Sequence, residues 1–170
     1  LSYLICDVDR SLSTLGGDKG VTAISGVPPV PITKGVTQIT NIMGRLFQEK
    51  VSKIEHPLFG TSTETIIEAQ PLAVKNDLRG IVIDTFSVAM KQEMRQIVGI
   101  DKASGRPKQP EMRDWGTLAR VGEDFLLWLQ KLPIWAVVNC HIDYDKDGTT
   151  GNFYWVPQIS GGTKMELMKY

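Results

Sequence analysis

Ile81-Val82-Ile83 is an unbroken β-branched run that ends in a carboxylate, Asp84, and then a hydroxyl, Thr85. Such a run reads as a strand buried on both faces, as in a parallel sheet. A charge gains nothing from packing at the end of a dry strand. It belongs where ligands bind in open α/β sheets, outside the carboxyl ends of the strands. From Phe86 to Val98 the pattern turns helical, with Val88, Lys91, Met94, Arg95 and Val98 three and four apart. Strand, acid, hydroxyl, helix is the layout of a Walker B segment, where the acid holds the magnesium of a nucleoside triphosphate. The plain alternative is an Asp capping the helix.

The rest of the chain is compatible with that layout. Its 170 residues suffice for one domain with a real core. Zero net charge gives no bulk field toward nucleic acid or an anionic membrane. The apolar runs are too short to span a bilayer and no secretory signal pattern is present, so no membrane partner is expected. Cys6 and Cys140 lie in apolar runs and read as buried free thiols in a reducing compartment. Two Cys and two His placed far apart are too few for a soft-metal site. The chain opens at Leu1 inside a strand pattern, which reads as a piece of a longer protein.

Leu1–Cys6 reads as a strand running into Asp7-Val8-Asp9, with a turn and helix closing at Gly16-Gly17. Val21–Ser25 is expected as a short strand and Gly26–Pro31 as a polyproline connector. Val36, Ile39, Ile42, Met43, Leu46, Phe47, Val51 and Ile54 predict one amphipathic helix ended by Pro57 and Gly60. Thr61-Ser62-Thr63-Glu64 reads as the N-cap of another helix, interrupted at Pro71. Gly99–Pro110 is expected as a mobile surface loop. A long helix follows over 113–132, then a buried strand, Ile134–Cys140, ending in His141. A further strand is expected over Asn152–Ile159. The succession argues for an α/β fold with a largely parallel sheet flanked by helices. Parallel strands would bring Asp7 and Asp9, Asp84 and Thr85, and His141 to one edge.

Asp9 is placed for the acid that polarises an attacking water in a RecA-kind ATPase. Asp7 and Asp9 also form the Asp-x-Asp pair of a haloacid-dehalogenase-type phosphatase, with Asp7 as nucleophile and Asp9 as acid/base, although Ser11 stands where Thr is usual and the family's lysine and second acidic pair are not evident. A capped turn is the third reading. His141 could feel a γ-phosphate or simply hydrogen-bond at a strand end, and His56 reads as a helix-end residue. Asp143, Asp145, Asp147 and Gly148 begin like an EF-hand loop, but Tyr154 stands where its last ligand belongs, so a solvated flap is expected. Lys102, Arg106, Lys108 and Arg113 tilt one loop toward positive charge, as in loops that touch a nucleic-acid backbone. Lys164 is a candidate for reaching a phosphate across a subunit boundary. Trp115, Trp128 and Trp135 read as core.

The order Asp7-x-Asp9, Ile81–Thr85, Arg113-Asp114-Trp115-Gly116, Leu132–His141, Asp147-Gly148 and Pro157–Gly161 resembles the phage-type RecA-like P-loop ATPases, the AAA-domain nucleotide-binding proteins found beside phage recombination genes. The resemblance spans nearly the whole chain. It implies a single RecA-like core over 1–170, incomplete at its N-terminus and lacking the P-loop strand. It implies ATP and magnesium as cofactors, single-stranded DNA as partner, a homo-oligomer when complete, service in recombination or strand annealing, and a phage or bacterial host cytoplasm. Asp9, Asp84 and His141 would be catalytic, Asp84 would order the metal, and Thr85 and Lys164 would help bind the nucleotide. The family's G-x-x-x-x-G-K-[ST] loop is not among these residues, and Gly161-Gly162-Thr163-Lys164 does not supply it. This polypeptide alone is therefore expected to bind ATP weakly, and the strand ending at His141 to present an uncovered apolar edge. A non-catalytic remnant is the remaining alternative.

Overall fold

The structure, a computed structural model, describes residues 2–10, 22, 25–146 and 148–158. Four parallel strands form the central sheet in the order β2-β1-β5-β6. They are β1 (Ser2–Asp7), β2 (Val30–Pro31), β5 (Leu78–Asp84) and β6 (Trp135–Val138). The helices are α1 (Val36–Leu46), α2 (Pro71–Lys75), α3 (Phe86–Val98) and α4 (Met112–Leu129). Two antiparallel hairpins stand outside the sheet: β3 (Phe47–His56) with β4 (Gly60–Ala69), and β7 (Ile142–Lys146) with β8 (Phe153–Pro157). The α/β class with a parallel sheet flanked by helices is the architecture expected.

Strand parity sorts the sheet's side chains. Leu4 pairs with Ile81 and Cys6 with Ile83, and all four are buried. They meet Val36, Ile39, Met43 and Phe86, Ala89, Met90 from α1 and α3, and Leu118 and Phe125 from α4. Phe86 stacks on Phe125 with ring centroids 5.8 Å apart. Burying each ring contributes roughly 2–3 kcal/mol. α1 is locked to α3 by Glu93, a buried carboxylate that accepts hydrogen bonds from the Thr37 N–H (2.8 Å) and the Thr37 hydroxyl (2.6 Å). A negative group at the positive end of α1 is the favourable arrangement.

Several sequence expectations give way here. The helix that starts at Val36 stops at Leu46, and Phe47 begins β3. Val51 and Ile54 continue a helical spacing by coincidence, since both are exposed and touch no core. Thr61–Glu64 opens a strand, not a helix, consistent with the alternation of Thr61, Thr63, Thr65 and Ile67. Pro71 starts α2 rather than interrupting a helix, because its missing N–H costs nothing in a first turn. Thr22 and Ser25, the described residues of the expected 21–25 strand, are helical. The connector's last residues pair with β1 as β2. The long helix runs from Met112 to Leu129, within a few residues of expectation. The turn at Gly16-Gly17 lies outside the described residues.

β6 is not a buried strand. It pairs only with β5 among the described residues, and Trp135 is 80% exposed. With Leu126, Leu129, Leu132, Ile134 and Val138 it borders an open groove of ≈ 440 Å³. Trp115 is also exposed, so of the three tryptophans expected in the core only Trp128 packs against it.

Candidate functional site

The polar rim arises at the carboxyl edge of the sheet. Asp7 and Asp84 are register partners at the ends of β1 and β5. Adjacent strands lie about 4.8 Å apart, so the two carboxylates leave neighbouring backbones. Val8 donates its N–H to the Asp84 carbonyl (2.6 Å), and the next residue, Asp9, is exposed. The chain leaves β1 toward β2 and leaves β5 toward β6 on the opposite side. Connections that part in this way open a crevice, the position at which open α/β sheets bind ligands. Asp7 and Asp84 flank it.

From β6 the ladder extends one step further, with the Asn139 N–H donating to the Ile83 carbonyl (3.0 Å) and the Phe86 N–H donating to the Asn139 carbonyl (2.7 Å). The Asn139 side chain donates to Asp84 Oδ1 (3.2 Å) across a separation of 55 residues. His141 is exposed, and its backbone N–H donates to the Ser87 hydroxyl (3.0 Å). Ser87 is buried at the start of α3, so β5, α3 and the end of β6 are tied together at one corner.

Thr85 has a place of its own. It occupies the N-cap position of α3, yet its hydroxyl makes no capping bond. The residue is buried, and its hydroxyl has no hydrogen-bond partner among the described residues. A buried polar atom in that state costs about 1–3 kcal/mol unless something meets it. The Asp84–Thr85 peptide is cis. The rim therefore combines carboxylates, an unsatisfied hydroxyl and the positive end of a helix, a set suited to a metal-bound anion. Among the described residues no group of three or more His, Cys, Asp or Glu is arranged to hold a metal ion. Magnesium carried by a nucleotide needs less: one or two carboxylates, with waters and phosphate oxygens completing its shell. Asp84 with Thr85 fits that sparse set.

The remaining candidates disperse. Lys164 lies outside the described residues, as does Asp147. His56 is at the tip of the β3–β4 hairpin, where its Nδ1 accepts the Leu58 N–H, so it is not a helix-end residue. Asp143 and Asp145 lie in extended β7, a backbone that cannot wrap a calcium ion, and the β7–β8 hairpin begins right after His141. Lys102, Arg106 and Lys108 are exposed on the turn after α3. That turn is organised by Asp101, whose carboxylate the Ser104 hydroxyl and the Ala103 N–H hold below the usual range. Sequence reasoning gave no role to Asn139 or Ser87. Their signal was position alone: the first polar residue beyond the Trp135–Val138 run, and a hydroxyl two residues past Thr85.

Cys6 precedes Asp7 in β1 and Cys140 follows Asn139; both are free thiols. Burial pushes the Cys6 thiol up to about 12 from 9.0; burial also raises Cys140, with the Ser87 hydrogen bond acting in the opposite direction. Above pH 9 the unfolded chain has lost the Cys6 proton while the folded chain keeps it. Stability attributable to Cys6 is full below pH 9 and falls as pH rises toward 12. Between pH 9 and 10 the expected loss is about 1 kcal/mol, approaching about 1.4 kcal/mol per pH unit above that. Urea titrations at pH 9 and 10 on wild type and Cys6→Ala check it; equal slopes for both proteins would contradict it.

No protein-family profile, curated protein or solved structure matches the chain. No helix among the described residues is long and apolar enough to cross a membrane.

Proposed function

We propose that the chain is the body of a RecA-like ATPase that uses magnesium and ATP and works on single-stranded DNA as an oligomer. The observation that carries this reading is the Asn139–Asp84 contact, next to the buried, unsatisfied Thr85 hydroxyl, at the strand ends where the connections diverge. Asp84 would hold magnesium, which when bound neutralises charge on the phosphates. Asn139 fixes the Asp84 carboxylate by donating to Oδ1. Thr85 offers a hydroxyl to the attacking water or the metal's shell, and the N-terminus of α3 favours negative charge there. Asp9, exposed two residues past the end of β1, would take the proton of the attacking water. His141, tied through its backbone to Ser87, would pass the state of the γ-phosphate to the β7–β8 hairpin that follows it. That hairpin and the Lys102–Lys108 turn are the proposed contacts to DNA. A glycine-rich phosphate loop with its lysine would have to be supplied by residues other than these.

The assay uses the polypeptide encoded by the whole open reading frame. Under this reading it binds Mg-ATP, and Asp9→Asn lowers hydrolysis about 100-fold while Asp7→Asn lowers it far less. A phosphatase built on Asp7 reverses the order and hydrolyses phosphate monoesters without ATP. A gene product that neither binds nor hydrolyses ATP sinks the proposal.

A further inference from the structure

The β3–β4 hairpin is a two-stranded ribbon of ten-residue arms, and among the described residues Phe47 and Ile67 are its members in the hydrophobic core. Beyond that base it is exposed on both faces: Val51 is 69% exposed, and Leu58 and Phe59 at the tip are 82% and 84% exposed. A lone two-stranded hairpin is at best marginally stable in water. β3 is hydrogen-bonded on one edge only among the described residues. An open edge of this length is a template for another strand.

The sequence of β3 says which strand. We propose that two copies of this chain join β3 to β3 in antiparallel fashion about a two-fold axis through Val51, making a four-stranded ribbon β4-β3-β3-β4. A two-fold axis normal to the sheet permits only registers that keep each residue on its own face. With the axis at Val51, Glu49 faces the partner's Lys53 and Lys53 faces the partner's Glu49, on either side of a Val51–Val51 contact. The next pairs on the other face are Lys50 with the partner's Ser52 and Gln48 with the partner's Ile54. Neighbouring registers fail. An axis at Lys50 or Lys53 sets lysine on lysine, an axis at Ser52 sets Glu49 on Glu55, and an axis at Ile54 leaves little of the strand overlapped. The Val51 register also carries the apolar tip, Leu58 and Phe59, to the level of the partner ribbon's base. The charge pattern thus selects one arrangement, independently of the ATPase reading.

Sedimentation across a concentration series on wild type, Lys53→Glu and the Glu49→Lys/Lys53→Glu double variant tests the idea. Lys53→Glu replaces two attractive pairs by two repulsive ones and should weaken the dimer roughly tenfold to a hundredfold. The double variant should restore it. Because Val51 meets itself at the axis, Val51→Cys should form an intermolecular disulfide on mild oxidation, whereas Ile54→Cys should not. Restoration by the double swap with cross-linking confined to position 51 supports the proposal. A wild type that stays monomeric, a Lys53→Glu variant that dimerises as well as wild type, a double swap that does not recover, or equal cross-linking at 54 overturns it.

Discussion

Gly35→Ala is expected to lower the unfolding free energy by about 3–5 kcal/mol, a large share of the roughly 5–15 kcal/mol that holds a domain folded. Gly35 is the N-cap of α1 with φ 77° and ψ −155°, a backbone region that only glycine occupies at little cost. A methyl group there would lie 2.5 Å from the Glu93 backbone nitrogen and 2.7 Å from its Cα. Those atoms belong to the interior of α3 and cannot turn aside as a side-chain tip can. Relief would require α1 and α3 to part, breaking the Glu93 bonds to Thr37. Gly44 is the control. It is exposed inside α1 with nothing within 4 Å of an added methyl, so Gly44→Ala should stabilise by up to about 1 kcal/mol. Urea unfolding of both variants checks the pair. A Gly35→Ala protein as stable as wild type would show that α1 and α3 do not approach this closely.

If the proposed ATPase reading holds, Asp84→Asn is expected to reduce ATP hydrolysis about 10²–10³-fold, the scale on which an electrostatic partner of reacting phosphates is felt. The fold should survive. Asparagine keeps the shape of the side chain and an oxygen for the Asn139 amide, now 3.2 Å from Oδ1. What disappears is the negative charge, and with it the hold on a divalent cation. The measurement is steady-state hydrolysis against magnesium concentration, with thermal unfolding as the control. An unchanged rate at equal stability would remove Asp84 from the reaction.

The parts legible in the sequence were those decided by local pattern. Ile81–Asp84 is apolar and β-branched and became a central strand, and Phe86–Val98 and Met112–Leu129 carry helical spacing that packing then uses. The ribbon was not legible. Val51 and Ile54 fall three apart by chance, and only the tertiary structure reveals that neither has a core to face. The exposure of β6 has no signature in Trp135–Val138 itself; it follows from that strand's place at the edge of the sheet among the described residues. At the rim, each strand-end acid was visible as a charge closing an apolar run. The link from Asn139 to Asp84, the hold of Ser87 on the His141 backbone and the stranded Thr85 hydroxyl depend on strand neighbours, which the order of residues does not disclose.

The ribbon's two ends also touch each other, since the Gln70 N–H donates to the Leu46 carbonyl at 2.7 Å. The body is thus already closed across the neck of the excursion before residues 47–69 are counted. Chain entropy charges little for what is hung from a closed neck. Such an appendage can lengthen, shorten or be exchanged for another without redrawing the sheet, leaving assembly free to change while the polar rim stays as it is.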